Sequence, residues 1–179
     1  MDHVMVDLET LGTNQDSAFI SIGACRFDPS TGKIGETFSK NIDWDSALKG
    51  RGVTGGTIKW WMRQSPEAQN KVCAPGEPLK NVLVAFGSWF RAGGVERQIW
   101  GNGATFDVAM LENAYTAIFG MLPWKHWNVR DVRTIVELAI GRVAKESSPF
   151  EGIKHRAVDD AIHQATYVSA MWQALRGTR

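Results

Sequence analysis

Residues 3–10 read HVMVDLET, and this short run decides the fold. Its apolar start has the composition of a buried β-strand, yet two acids one residue apart close it. Side chains at i and i+2 leave a strand on the same face, so Val4, Val6 and Leu8 point one way and Met5, Asp7 and Glu9 the other. Two carboxylates roughly 7 Å apart at the end of an apolar strand repel each other and are costly to desolvate. Something must offset that cost.

Outward from this strand, TLGTNQDS is a turn, AFISIGACRF (18–27) a second strand ended by DPSTG, and GETFSKNID (35–43) a third. An antiparallel three-strand meander is the expected opening. WDSALKGRGVTGG reads as a Gly-rich loop, and TIKWWMRQ begins a helix. SPEAQNKV predicts another short helix, with Ser65 as N-cap, Pro66 in the first turn and Glu67 at the positive end of the dipole. Leu79, Val82, Leu83, Phe86 and Phe90 fall at helical spacing before Gly93-Gly94. QIWGNG is a short strand and glycine turn, residues 105–119 a helix, and DVRTIVELAIG a further helix with Val132, Ile135, Val136 and Ala139 on one stripe. SSPFEGIKH is a loop, and residues 158–175 form a final helix. The expected architecture is α/β, a central mixed sheet flanked by helices, in one domain spanning 1–179.

The whole chain sets bounds on function. Its 179 residues suit a sizeable core, and 44% hydrophobic and 22% charged residues are ordinary for a globular protein. Lys plus Arg number 20 against 19 acids, a formal net charge of +1, which argues against coating long nucleic acid. An enzyme that grips a few nucleotides through bound cations fits that balance. Cys25 and Cys73 stand alone, without metal-site spacing, as core thiols of a reducing compartment would. No signal-peptide pattern and no apolar run of about 18 residues is present, so a cytoplasmic protein without membrane contact is expected.

The remaining acids carry the chemistry. Asp107 lies where a helix begins after QIW, and Asp159 and Asp160 open the last helix; each can simply complement a helix dipole. His155 reads alone as a loop histidine. Taken together, a strand end with two acids, a strand-to-helix turn with one, and a loop histidine with an acid five positions on can meet at one sheet edge. Four carboxylates and a histidine in one cleft require cations, and hard oxygen ligands select Mg²⁺ or Mn²⁺ over zinc. Two such ions about 4 Å apart would offset the repulsion between Asp7 and Glu9 and clamp the attacking and leaving oxygens of a phosphodiester.

DLET at 7–10, FD at 106–107 and HRAVDD at 155–160 resemble the three exonuclease motifs of the DEDD superfamily, whose fold is ribonuclease H-like. The H-x₄-D spacing of His155 and Asp160 is similar to the DEDDh branch, shared by ribonuclease T, oligoribonuclease and the proofreading exonuclease subunit. TIKWWMRQS, WGNGATFD and WNVRDVRTIVEL look closer still to phage and prophage 3′–5′ exonucleases, some exodeoxyribonuclease VIII-like, and to a related mycobacterial exoribonuclease. The resemblance implies a metal-dependent 3′–5′ exonuclease that releases nucleoside 5′-monophosphates from a single-stranded DNA or RNA 3′ end. It implies that Asp7, Glu9 and Asp160 bind a first ion, that Asp7 bridges to a second, and that Asp107 holds the second. His155 would be the general base. Thr10, Leu11 and Gly12, at and just past the first motif, would approach the terminal nucleotide, Leu11 as a wedge against a base. Relatives are often dimers, which makes a homodimer a candidate assembly.

Other residues divide between packing and substrate. Trp60 and Trp61 lie about 100° apart on a helix, so one can line the cleft and stack on a base while the other packs. Trp61 is a candidate substrate contact on that ground, and Asn102, an amide between two glycines, is another, although Asn and Gly also close turns. Trp124, His126 and Trp127 read as packing, Asp131 as a helix N-terminal acid, His163 as a solvated helix histidine, and His3 carries no signal. Two further functions compete: a catalytically idle nucleic-acid-binding accessory protein on the same fold, and an α/β scaffold whose acids merely cap helices.

Overall fold

A computed structural model describes residues 1–145 and 148–177. Its five-stranded sheet runs in the order β3-β2-β1-β4-β5. β1 (His3–Thr10) lies at the centre, antiparallel to β2 (Phe19–Asp28), which pairs antiparallel with β3 (Lys33–Asn41). On the other side β1 pairs parallel with β4 (Gln98–Gly101), and β4 parallel with β5 (Val129–Asp131). The antiparallel meander plus parallel strands is the mixed sheet that the sequence predicts.

A central strand is covered on both faces, and the period-two alternation of β1 divides its side chains between two cores. Val4, Val6 and Leu8 join a cluster with Leu83 and Phe86 of α4 (Leu79–Arg91) and Leu111 of α5 (Asp107–Phe119). Met5 enters a second cluster, with Val132 of α6 (Val132–Leu138) and with Ala161, Ala165 and Val168 of α7 (Ala157–Arg176). α7 can lie this close because β2 carries glycine opposite its start. A Cβ on Gly23 would stand 2.0 Å from backbone atoms of Ala157 and Val158.

Local capping follows the side chains. Ser65 accepts from the Ala68 amide at the start of α3 (Pro66–Val72), as its sequence predicts. The 44–56 stretch expected as loop instead contains α1 (Trp44–Leu48), because Asp43 caps it through the Ser46 amide. It also holds the start of α2 (Gly55–Trp61). β3 runs two residues earlier than expected at both ends, leaving Ile42 to bridge Glu77. β5 went unforeseen: three half-buried residues are too short for a readable period. The loop expected from residue 147 begins outside the described residues. No helix among the described residues is long and apolar enough to cross a membrane.

Candidate active site

The apolar period of β1 holds Asp7 and Glu9 on the α7 side of the sheet, beneath the first turns of that helix. Asp160 comes down from α7 to meet them. Asp7, Glu9 and Asp160 each offer a carboxylate oxygen, and the three oxygens lie within 4.8 Å of one another. Asp159 does not join them, since its carboxylate accepts from the Ile153 amide at 3.0 Å and faces Arg156.

Asp107 occupies a separate position. Its Oδ1 accepts from the Leu8 amide at 3.3 Å, a strand donor beyond the last β1–β4 pair, Met5 with Trp100. Asp107 is buried outside the three-oxygen cluster, yet its charge is felt at both Asp7 and Glu9. Burial and this crowding set the electrostatics. Desolvation, followed by the charges of Asp107, Glu9 and Asp160, holds Asp7 well above the usual carboxylate range. Burial and then Asp160 and Asp107 push Glu9 up to about 8. Asp107 rises to about 7 by burial, against the Leu8 hydrogen bond, and Asp160 is raised chiefly by burial. Glu9 is 6% exposed and its Oε1 is buried without a hydrogen-bond partner. Crowded, desolvated carboxylates with an unpartnered oxygen fit divalent cations with oxygen ligands.

His155 stands beside the cluster in an unusual backbone state. Its φ is +62°, in the left-handed region that favours glycine, and its amide donates to Asp160 Oδ2 at 2.9 Å. That bond ties the loop to the acid it follows in the motif. The imidazole packs edge-on to Trp60, ring centroids 4.8 Å apart, with Trp61 at 6.4 Å. Trp61 is fixed by its own Nε1 donating to the Thr10 carbonyl at 2.8 Å.

Asp7, Glu9, Asp160, His155 and both tryptophans line one cleft of about 690 Å³, and Asp107 lies outside that lining. Thr10, Asn102 and Trp61, expected as substrate contacts, line it too, while Trp60 is the more open of the two indoles at 41% exposed. Leu11 and Gly12 require correction. The β1–β2 register shifts between Glu9 and Thr10, and the chain then turns inward. Leu11 is 1% exposed in the core, its amide bonded to Ala18 and its carbonyl to Thr54. Gly12 packs against Ser17, and neither residue lines the cleft.

Several neighbours were illegible as site residues. Gln164 lines the cleft and donates from Nε2 to Asp7 Oδ1 at 2.7 Å; its place one helical turn past Asp160 is the only trace it leaves in the sequence. Phe106, Thr54 and Thr57 also contribute to the lining. Asp131 caps α6 as predicted and, in addition, accepts from the Ala104 amide at 2.5 Å, bracing the turn that carries Asn102. His163 lies between the rings of Phe150 and Tyr167 rather than in open solvent. His3, unmarked in the sequence, is buried and accepts from Trp100 Nε1 at 2.9 Å.

Solved structures share this fold. The nuclease domain of 3′hExo, a DEDDh family member bound to rAMP, is 12% identical with a TM-score of 0.58, covering 98% of this chain and 92% of that one. Exonuclease I in its apo form is 20% identical with a TM-score of 0.65 over 98% of this chain, which spans 42% of that protein. An Escherichia coli exonuclease I–ssDNA complex scores 0.64 at 18% identity, covering 99% of this chain and 40% of that one. At such identities these likenesses establish the fold, the ribonuclease H-like one. In sequence, an exodeoxyribonuclease of Enterobacteria phage T4 is 28% identical over 159 residues, covering 74% of this chain and 70% of the relative. A model of the 3′–5′ exoribonuclease Rv2179c-like domain matches residues 2–172, from the start of β1 to near the end of α7. With all three motif segments inside that match, the chain belongs to the Rv2179c-like 3′–5′ exoribonuclease domain family and is a 3′–5′ exonuclease.

Proposed function

We propose that the whole chain acts as one exonuclease domain that removes nucleoside 5′-monophosphates from single-stranded DNA or RNA 3′ ends, using two divalent ions. The observation that carries this reading is the convergence of Asp7, Glu9 and Asp160 oxygens within 4.8 Å beside an unpartnered, buried Glu9 Oε1. Those three residues would hold one Mg²⁺ or Mn²⁺ ion, with Asp7 shared and Asp107 serving a second. Bound ions would neutralise the acids and stabilise the charge that develops on the phosphodiester.

The chain's own groups do the rest. His155, held at the rim by its amide bond to Asp160, takes a proton from the attacking water. Trp60 and Trp61 supply aromatic surface for the terminal base, a contact that tolerates any base and needs an unpaired one. Asn102, also in the cleft lining, offers an amide to the sugar or phosphate. Free Cys25 and Cys73 suit a reducing compartment such as the cytoplasm.

The test is a time course on matched 5′-labelled single-stranded DNA and RNA with Mg²⁺, with Mn²⁺ and with EDTA. Stepwise shortening from the 3′ end that stops in EDTA is expected. Binding without shortening in any metal would identify an idle nucleic-acid-binding module instead.

A further inference from the structure

We propose that Gln164 is a positioning residue for the divalent-ion site: it holds Asp7 through Nε2 and offers Oε1 to the hydration shell of a bound cation. The inference rests on the metal reading above. Gln164 is 6% exposed, so its amide is effectively removed from bulk water. With a cation bound Asp7 is ionised and only accepts, which sets the amide orientation: nitrogen faces Asp7 Oδ1 at 2.7 Å and oxygen faces away. That oxygen is buried with no partner, an arrangement that costs about 1–3 kcal/mol unless a donor arrives.

The side chains around it do not supply that donor. Asp7, Glu9 and Asp160 are acceptors when ionised, and Glu9 Oε1 is itself unpartnered. Tyr167, one turn further along α7, has a buried hydroxyl that also lacks a partner and makes no bond to Gln164. A corner holding two orphaned acceptors beside three carboxylates is short of positive charge and of donors. A hydrated divalent cation would supply both: Glu9 would help to hold it, and Gln164 Oε1 would accept from its hydration shell. Outer groups of this kind orient ligands and tune the ion. The direct bond to Asp7 has a second effect. It keeps one oxygen of the shared carboxylate oriented, so that ion spacing does not depend on a freely rotating side chain.

Mn²⁺ binding to the purified full chain, measured by calorimetry without nucleic acid, tests this, alongside melting temperature in EDTA. Gln164→Leu keeps the volume and removes both polar atoms, whereas Gln164→Asn keeps the amide but withdraws it from Asp7. Both are expected to weaken Mn²⁺ roughly 10- to 100-fold. The EDTA melting temperature of Gln164→Leu should stay close to that of wild type, because loss of the orphaned acceptor offsets loss of the bond to Asp7 Oδ1. Mn²⁺ affinity within twofold of wild type in either variant would overturn the proposal. So would a lowered EDTA melting temperature in both variants, which marks a structural role. Wild-type protein that fails to bind Mn²⁺ at all would sink the metal reading itself, a result distinct from either.

Discussion

Replacing Glu9 with glutamine isolates the electrostatic cost of the site. The Glu9 carboxyl, ordinarily at 4.5, is pushed up to about 8 by burial and by Asp160 and Asp107. A carboxyl raised in the folded state contributes most below pH 4.5, where both folded and unfolded chains are protonated. As pH climbs from 4.5 to 8 the unfolded chain ionises first, and native stability falls by about 1.36 kcal/mol per pH unit for this group. Above 8 the loss levels off. Between pH 5 and 8 the accumulated penalty is roughly 3 kcal/mol, and Glu9→Gln, which cannot ionise, escapes it. In a chain of this size 1 kcal/mol moves the melting temperature by about 2–4 °C. Differential scanning fluorimetry in EDTA should therefore show the Glu9→Gln melting temperature gaining on wild type by roughly 10 °C from pH 5 to 8. Adding Mn²⁺ at 100 times its dissociation constant should return about 2.7 kcal/mol to wild type and far less to the variant. Parallel wild-type and Glu9→Gln curves across that range would refute the view that Glu9 is a desolvated carboxylate in need of a cation.

Other consequences concern catalysis and packing. Asp7→Ala should leave no nuclease activity, whereas His155→Ala should leave a trace, about 10²- to 10⁴-fold below wild type; equal mild losses in gel assays would contradict the assigned roles. At limiting Mn²⁺, activity should rise through pH 7–8 as Asp107 and Glu9 ionise, and saturating Mn²⁺ should shift that limb to lower pH, read from initial rates. Trp60→Ala should raise KM by roughly 5- to 100-fold, the equivalent of one stacking contact, with kcat largely kept; an unchanged KM would return Trp60 to a packing role. Gly23→Ala places a methyl 2.0 Å from the backbone of α7 and should cost at least about 1–3 kcal/mol while lifting Asp160 from Asp7, so both the urea midpoint and Mn²⁺ affinity should fall.

HVMVDLET, residues 3–10, determined a great deal by itself. Its apolar run marked a buried strand and its period put Asp7 and Glu9 on one face, because strand side chains repeat every two residues whatever surrounds them. The Ser65 cap was readable for the same reason: its partners lie within one turn of the chain. Spacing also separated Asp160 from Asp159, although the reason, that Asp159 bonds the preceding loop, is tertiary. Where local rules ended, reading became insecure. Leu11 looked like a base contact because it follows the motif, but the register shift after Glu9 turns it into the core. Beyond its place one turn past Asp160, Gln164 carries no mark in the sequence, since its meaning comes from Asp7, 157 residues away. Which indole opens to the cleft, how near α7 comes to β2 at Gly23, and how strongly burial perturbs the acids were likewise decided only by packing. Those quantities depend on distances between segments far apart in the chain, and a residue's own neighbours along the chain do not encode them.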